Sequence, residues 1–230
     1  MTIVSSDSAS TASYPLSILS SAADGASDRP VLAALASGGF IAVWSDGNNK
    51  DGSNSGIYAR IFDENFQQIG DEIQVNTLTD GFQTGASVAS TPDGHILISW
   101  AGGNGTLQAQ VLDSSGNKLG DQFVIGPWNV ASAEIQGTSD NQFVVVRSQS
   151  NQQSAIMSVY SSDGTLVVSD VAVSDVRSGR VRTAELDDGS MLAVWFDQSN
   201  FAGYDIYAQR FDIDGNLLGD QYKLNSILAN

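Results

Sequence analysis

The stretch Ile57-Tyr58-Ala59-Arg60-Ile61-Phe62-Asp63, which closes at Gly70-Asp71, is the clearest copy of a strand-turn-strand phrase that recurs along this chain. Further copies run from Leu107 to Asp113, closing at Gly120-Asp121; from Ile206 to Asp212, closing at Gly219-Asp220; and, more weakly, from Ala155 to Tyr160. A spacing of about 50 residues indicates one supersecondary unit used four times. The repeat predicts the architecture and leaves the activity open.

A second hairpin precedes each copy of the phrase. Its turns read Ser37-Gly38-Gly39, Pro92-Asp93-Gly94, Ser139-Asp140-Asn141 and Asp187-Asp188-Gly189. Gly or Asn at the last position supplies the positive φ that a short hairpin needs. The strand that follows carries Trp44, Trp100 or Trp195 at equivalent positions, and Arg147 in the third unit.

Four strands in a unit of this length are typical of a propeller blade. The sequence therefore predicts an all-β, β-propeller-like fold of four repeats with four strands each. The alternative is two tandem cadherin-like β domains of two repeats each. We expect an N-terminal disordered segment over 1–13 and one repeat domain over 14–230, with units at roughly 30–80, 81–128, 129–175 and 176–226.

Both ends of the repeat domain carry the same kind of strand. Tyr14 to Ser20 resembles the end of a unit, and the chain finishes on a similar strand at Tyr222 to Asn225. Such strands can lie on a sheet edge or pair with a second copy of the protein. A homodimer through these terminal strands is thus an expectation.

The net charge of the chain limits the classes of partner that it can bind. The formal net charge is −16, from 10 Lys+Arg and 26 Asp+Glu. A surface of this sign repels nucleic acid and anionic membranes, so we expect neither as a partner. Of the acids, 22 are Asp and only 4 are Glu, which fits a chain rich in turns and oxygen donors for hard cations.

Targeting signals are sparse. There is no Cys, no run of 18 apolar residues, and no basic and apolar leader over Met1 to Ser13. These observations leave a cytosolic protein or one exported through a C-terminal signal.

Metal-ligand candidates cluster in the loops between the Trp strand and the Tyr-Ala strand. The predicted Ca²⁺ ligands are Asp46, Asn48, Asp51, Asn54, Asp197, Asp205, Asp212 and Asp214. Closely spaced oxygen donors on flexible loops can wrap a Ca²⁺ ion. The competing interpretation is that these residues are solvated turns, and for Asp212 a hairpin turn in which the carboxylate bonds its own backbone.

Aromatic residues flank the same loops. The predicted carbohydrate contacts are Asn200, Phe201, Tyr204, Trp44 and Trp195. Aromatic faces beside Asp and Asn can stack on sugar C–H groups and bond hydroxyls. The repeated Trp residues also fit blade packing.

Enzyme signals are weak. His95 is the only His, and the chain has no Gly-x-Ser-x-Gly elbow and no phosphate-binding Gly loop. The sequence therefore predicts a protein that is not an enzyme. A pair of carboxylates suited to glycoside hydrolysis stays open, because any two of the acids can meet in space.

The phrases Gly39-Phe40-Ile41-Ala42-Val43-Trp44, Gly56 to Asp63 and Gly70 to Thr77 resemble repeats of large exported bacterial surface proteins. The chain as a whole is similar to the small Rhizobium-adhering (Rap) proteins. That resemblance implies Ca²⁺ as cofactor and type I export through an uncleaved C-terminal signal, with which Leu224 to Asn230 is compatible. It also implies a secreted or cell-surface lectin-like adhesin that binds acidic exopolysaccharide in cell adhesion and the biofilm matrix.

Two other functions compete with the adhesin. One is a protein-binding scaffold of the matrix, which should expose an apolar patch. The other is a polysaccharide-modifying enzyme, which should bring two carboxylates together.

Overall fold

The computed structural model describes residues 27–127, 130–149, 154–174, 178–197 and 205–225. The described strands form four antiparallel sheets of four strands, one from each repeat unit, and each sheet is called a blade below. Blade 1 holds β1 (Ser27–Ala34), β2 (Phe40–Asp46), β3 (Gly56–Phe62) and β4 (Gln68–Gln74). Blade 2 holds β5 (Thr84–Ser90), β6 (Ile96–Ala101), β7 (Thr106–Leu112) and β8 (Lys118–Pro127). Blade 3 holds β9 (Val130–Gly137), β10 (Gln142–Gln149), β11 (Ala155–Ser161) and β12 (Leu166–Ala172). Blade 4 holds β13 (Ser178–Glu185), β14 (Met191–Asp197), β15 (Asp205–Phe211) and β16 (Leu217–Lys223).

Each blade is a simple meander, with its strands in sequence order across the sheet. The turns predicted from Gly and Asn adopt the conformation that those residues allow, with φ of 90° at Gly94, 60° at Asn141 and 78° at Gly189. The predicted β-propeller-like architecture of four-stranded repeats is confirmed.

The core lies between consecutive blades. Ile41 and Val43 of β2 pack with Ile96 and Ile98 of β6 in one buried cluster. Comparable clusters join blade 2 to blade 3 and blade 3 to blade 4. Because side chains alternate along a strand, one face of blade 2 and of blade 3 packs on the preceding blade and the other face on the next.

The continuous core rules out the alternative of two tandem domains. A boundary between two domains of two repeats would fall between blades 2 and 3. Leu97 and Ala109 of blade 2 pack there against Phe143 and Val145 of blade 3, and all four side chains are buried.

The inner strands pack in the order β1, β5, β9 and β13. Among the described residues, no comparable packing joins β13 back to β1. At one end of the blades, called the turn end, the hairpins after these four strands surround a cavity of about 550 Å³. The opposite end, called the loop end, carries the β2–β3 and β6–β7 turns and the connections between blades.

The terminal segments bear on two predictions. Tyr222 belongs to β16, which pairs with β15 as the outer strand of blade 4. The predicted strand at Tyr14 to Ser20 and the segment 1–13 lie outside the described residues. The described part of the chain contains no helix with the length and apolarity needed to cross a membrane.

Arg147 occupies the position that Trp holds in the other blades, and it is 2% exposed. Its guanidinium donates to the Ser158 hydroxyl at 3.1 Å and pairs with Asp170. Its stem lies against Gly126, where a Cβ would stand 3.0 Å from Nε. The third blade thus fills an aromatic position with a buried cation and its partners.

We expect Arg147→Ala to lower the free energy of unfolding by about 2–5 kcal/mol, because it leaves a cavity between blades. Arg182→Ala is the matched control, since Arg182 pairs with Glu134 at 2.7 Å but its side chain is 65% exposed. Exposed pairs of this kind contribute about 1 kcal/mol or less. Urea unfolding of both variants checks the prediction, and equal losses would contradict it.

Candidate functional site

Most of the predicted site residues lie at the loop end. Asp46 and Asp197 end the second strands of blades 1 and 4, and Asp205 begins β15. Asp51 lies in the β2–β3 loop, residues 47–55. The repeat therefore brings equivalent carboxylates to the same end of two blades.

In blade 1, Asp46 and Asp51 flank the same glycine. Asp46 is opposite Gly56 in the β2–β3 register. A Cβ at Gly56 would stand 2.9 Å from Asp51 Oδ2 and 3.0 Å from the Tyr58 ring, so only glycine leaves room for both groups. We call Asp46, Asp51 and Tyr58 the acidic cluster.

Hydrogen bonds hold the two carboxylates differently. Asp51 Oδ1 accepts from the Ser53 backbone N–H at 3.1 Å, and Asp51 Oδ2 accepts from Asn76 Nδ2 at 3.0 Å. Asp46 Oδ1 accepts from the Asn48 backbone N–H at 3.0 Å. Asp46 Oδ2 is buried and has no hydrogen-bond partner among the described residues, and the same holds for the Tyr58 hydroxyl.

The electrostatic environment of the cluster is evident in the pKa of the Tyr58 phenol. Burial, followed by the charges of Asp51 and Asp46, raises the pKa of Tyr58 to about 12. Each factor disfavours ionisation of the phenol, because the phenolate anion would lose its hydration and would be repelled by two neighbouring carboxylates. Tyr58 is thus a neutral hydroxyl that can donate a hydrogen bond.

Cations cover one side of the cluster. Lys50 Nζ lies 4.5 Å from the centroid of the Tyr58 ring and pairs with Glu72. Arg60 also pairs with Glu72, at 3.3 Å. The loop 47–55 therefore carries its positive charge directly above the phenol.

The two tryptophans among the predicted carbohydrate contacts are packing residues in this structure. Trp195 is 1% exposed and stacks on Tyr207 with ring centroids 6.5 Å apart, within the cluster between blades 3 and 4. Trp44 is 2% exposed and packs with Tyr58. Asn200, Phe201 and Tyr204 lie outside the described residues.

The predicted ligands in blade 4 are held apart from those in blade 1. Asp197 is opposite Asp205 in the β14–β15 register. Asp205 Oδ2 pairs with Lys223 Nζ at 2.8 Å, and this hydrogen bond raises the pKa of Lys223. Lys223, which is opposite Tyr207, thus balances Asp205 in blade 4, whereas Gln74 is opposite Tyr58 in blade 1.

Asp212 belongs to a hairpin turn. Its Oδ1 accepts from the Asn216 backbone N–H at 2.8 Å, and its Oδ2 accepts from Asn216 Nδ2 at 2.8 Å. The side-chain bond from Asn216 lowers the pKa of Asp212. Asp113 and Asn117 repeat the arrangement in blade 2, which identifies it as a feature of the repeat.

The remaining predicted ligands are exposed side chains: Asn48, Asn54 and Asp214. Within the described ranges, no group of three Asp, Glu or His side chains is arranged to hold a metal ion. Ca²⁺ binding stays a prediction from the sequence, and nothing below depends on it.

One feature of the loop end has no counterpart in the sequence-based candidates. A cleft between blades 1 and 2 is lined by side chains that include Asp80, Gln83, Asn104, Gln108 and Gln122. Asp80 marks the end of a repeat unit in the sequence, and this is the one signal that points toward the cleft. The amides carry no motif, so they are recognised only once the blades are packed.

No protein-family model matches this chain, and no curated protein does so. Solved structures do match. The α-L-arabinofuranosidase Arb93A from Fusarium graminearum, in complex with an iminosugar inhibitor, matches with a TM-score of 0.59 and 11% identity over 87% of this chain and 67% of that chain. In another structure of the enzyme the match spans 65% of that chain, so this protein spans about two thirds of its length.

Two further matches show the range of proteins with this fold. The α-L-arabinanase of Penicillium chrysogenum, complexed with arabinobiose, matches with a TM-score of 0.57 and 11% identity over 82% of this chain and 58% of that chain. Hydrazine synthase of Kuenenia stuttgartiensis matches with a TM-score of 0.59 and 12% identity over 86% of this chain and 54% of that chain. Identities this low establish the fold alone.

The comparisons correct two predictions from the sequence, the lectin-like adhesin and the absence of enzymatic activity. The similar structures include an arabinofuranosidase and an arabinanase, and they favour the alternative of a polysaccharide-modifying enzyme. The prediction of a protein that is not an enzyme followed from the lack of His- and Cys-based motifs, and the carboxylate pair that glycoside hydrolysis uses carries no such motif. The resemblance to Rap proteins and the predicted secretion stay predictions.

Proposed function

We propose that this protein is a carbohydrate-active enzyme that hydrolyses glycosidic bonds in a polysaccharide, with the acidic cluster as its catalytic site. The observation that carries the proposal is the pair Asp46 and Asp51, which flank Gly56 next to a neutral Tyr58. Glycoside hydrolases use such a pair of carboxyl groups, one as acid and one as base or nucleophile. The arabinan-cleaving propellers with a similar fold support the assignment.

The two carboxyl groups differ in their hydrogen bonds, and this difference supports a different catalytic role for each. Asp51 accepts two hydrogen bonds, from Ser53 and Asn76, which fix the position of its carboxyl group. We assign Asp51 the role of base or nucleophile, the group that faces the positive charge developing on the sugar in the transition state. Asp46 has an oxygen without a partner among the described residues, Oδ2, and we assign Asp46 the role of the acid for the leaving oxygen.

Tyr58 lies beside the pair. Its hydroxyl has no partner among the described residues, and its raised pKa keeps it protonated well above neutral pH, so it is available to donate to a sugar hydroxyl or a carboxylate when substrate binds. Asp51 is half-buried and Asp46 is buried completely. Substrate therefore meets Asp51 first, and the loop 47–55 must shift before Asp46 reaches the glycosidic oxygen.

Release of reducing ends from neutral and acidic polysaccharides tests the proposal. We expect Asp46→Asn and Asp51→Asn each to lower kcat by at least about 100-fold, because each removes a proton-transferring or charge-stabilising group. Asp140→Asn, at an exposed position of the turn end, is the matched control and should keep full activity. No release from any polysaccharide, or full activity in Asp51→Asn, would contradict the assignment.

The electrostatic coupling within the cluster can be measured without substrate. We expect Asp51→Asn to lower the pKa of Tyr58 from about 12, because the phenolate then forms beside one carboxylate instead of two. Tyrosine ¹³Cζ resonances followed from about pH 9 to about pH 13 give the measurement, because the range must extend beyond the raised pKa, with Tyr58→Phe for assignment. The control Asp140→Asn should leave the titration unchanged, and an equal shift in both variants would refute the geometry.

A further inference from the structure

A cleft of about 290 Å³ opens at the loop end between blades 1 and 2. Its walls come from the connection between the blades, residues 76–83, the β6–β7 turn, and the strands β7 and β8. It is about the size of the smaller ligand pockets in proteins. The acidic cluster is not part of its lining.

The cleft is held open by hydrogen bonds between the blades. Gln122 Oε1 accepts from the backbone N–H groups of Thr77 at 2.6 Å and of Leu78 at 2.9 Å. Gln122 Nε2 donates to Gln108 Oε1 at 3.3 Å. A side chain of blade 2 therefore fixes the connection that leaves blade 1, and the cleft exists before a ligand enters.

Two glycines form its narrowest part. A Cβ on Gly103 would stand 2.6 Å from the Asp80 carbonyl oxygen and 2.8 Å from the Gly81 Cα. Any side chain at Gly103 would push the two segments apart. The two loops thus approach each other through backbone atoms alone.

Three polar groups, two from the connection 76–83 and one from the β6–β7 turn, remain unpaired in this lining. Among the described residues, the Asp80 carboxylate, the Gln83 Oε1 and the Asn104 amide nitrogen take part in no hydrogen bond, although the Gln83 amide nitrogen donates to the Asp80 carbonyl at 2.9 Å. They offer two acceptors and one donor. Sugar hydroxyls donate and accept at once, so they can satisfy all three.

Apolar surface accompanies these groups. Leu78 lines the cleft and is 57% exposed, and Phe82, next to the glycines, is 59% exposed. The aliphatic Leu78 side chain beside hydrogen-bonding groups suits the C–H face of a pyranose or furanose ring.

We infer that this cleft binds a neutral sugar unit of the polysaccharide, an inference that rests on the function proposed above. Its described lining contains no Lys or Arg, and Asp80 would repel the carboxylate of a uronic acid. The net charge of −16 also repels an anionic sugar. The sugar unit is therefore neutral.

The cleft is connected to the acidic cluster through Asn76. Its Nδ2 donates to Asp51 Oδ2 at 3.0 Å and to the Leu78 carbonyl at 3.2 Å. The residue that fixes the cleft wall thus also fixes a proposed catalytic carboxylate. The loop 47–55 also contacts the cleft lining, because Ser53 Oγ accepts from the Gly81 backbone N–H at 3.2 Å.

Calorimetric titration tests the inference with the full chain in an Asp51→Asn background, which prevents turnover. The probes are neutral arabino-, xylo- and gluco-oligosaccharides, with oligogalacturonate as the acidic comparison. We expect a neutral probe to bind, and Asp80→Ala with Asn104→Ala to raise its Kd by at least about tenfold, because exposed hydrogen-bonding groups are lost. Asp140→Ala, an exposed acid of the turn end, should leave Kd unchanged.

The outcomes distinguish failure of the proposed sugar-binding site from failure of the proposed hydrolase. Sugar binding in the cleft would be overturned by any of three results: an unchanged Kd in the double variant, no binding of any neutral probe, or tighter binding of oligogalacturonate. If the wild-type protein hydrolyses a polysaccharide and the Kd of the double variant is unchanged, only the proposed sugar-binding site is refuted. If binding depends on the cleft and the wild-type protein hydrolyses nothing, the sugar-binding site is supported and the proposed hydrolase activity is refuted.

Discussion

Face-to-face packing of consecutive sheets is the constraint on which the rest of this structure depends. Each blade has apolar side chains on both faces of its central strands, so a blade alone would leave both faces in water. Trp100 and Trp195 close the contact with the preceding blade. This packing sets the order of the blades, and it brings the connection 76–83 against the β6–β7 turn.

The sequence predicted the regular part of this arrangement well. The hairpin turns follow from backbone conformations that Gly94 and Asn141 allow, and the strands follow from repeated apolar phrases. The competing interpretation of Asp212 as a turn residue matches its bonds to Asn216. Local rules succeed here because the partners lie within a few residues of each other.

The candidate site was predictable only in part. Asp46 and Asp51 were recognised as oxygen donors, but their relation to Tyr58 depends on the β2–β3 register and on the missing side chain at Gly56. Asp80, at the end of a repeat unit, was the one sequence signal that pointed toward the cleft, and the amides that line it carried none. Gln122 lies 45 residues from the Thr77 backbone that it binds, and no periodicity or motif joins two such residues.

A repeat that supplies the same scaffold four times can still place chemistry at one blade. Asp46 and Asp197 are equivalent in the repeat, yet their opposite residues are Gly56 and Asp205. In blade 4, Lys223 balances the second acid. In blade 1, the glycine admits Asp51 from the loop, and Asp46 keeps an unpaired oxygen. The difference arises from the loop and from one small residue, because the strands that carry both acids must conserve the packing between blades.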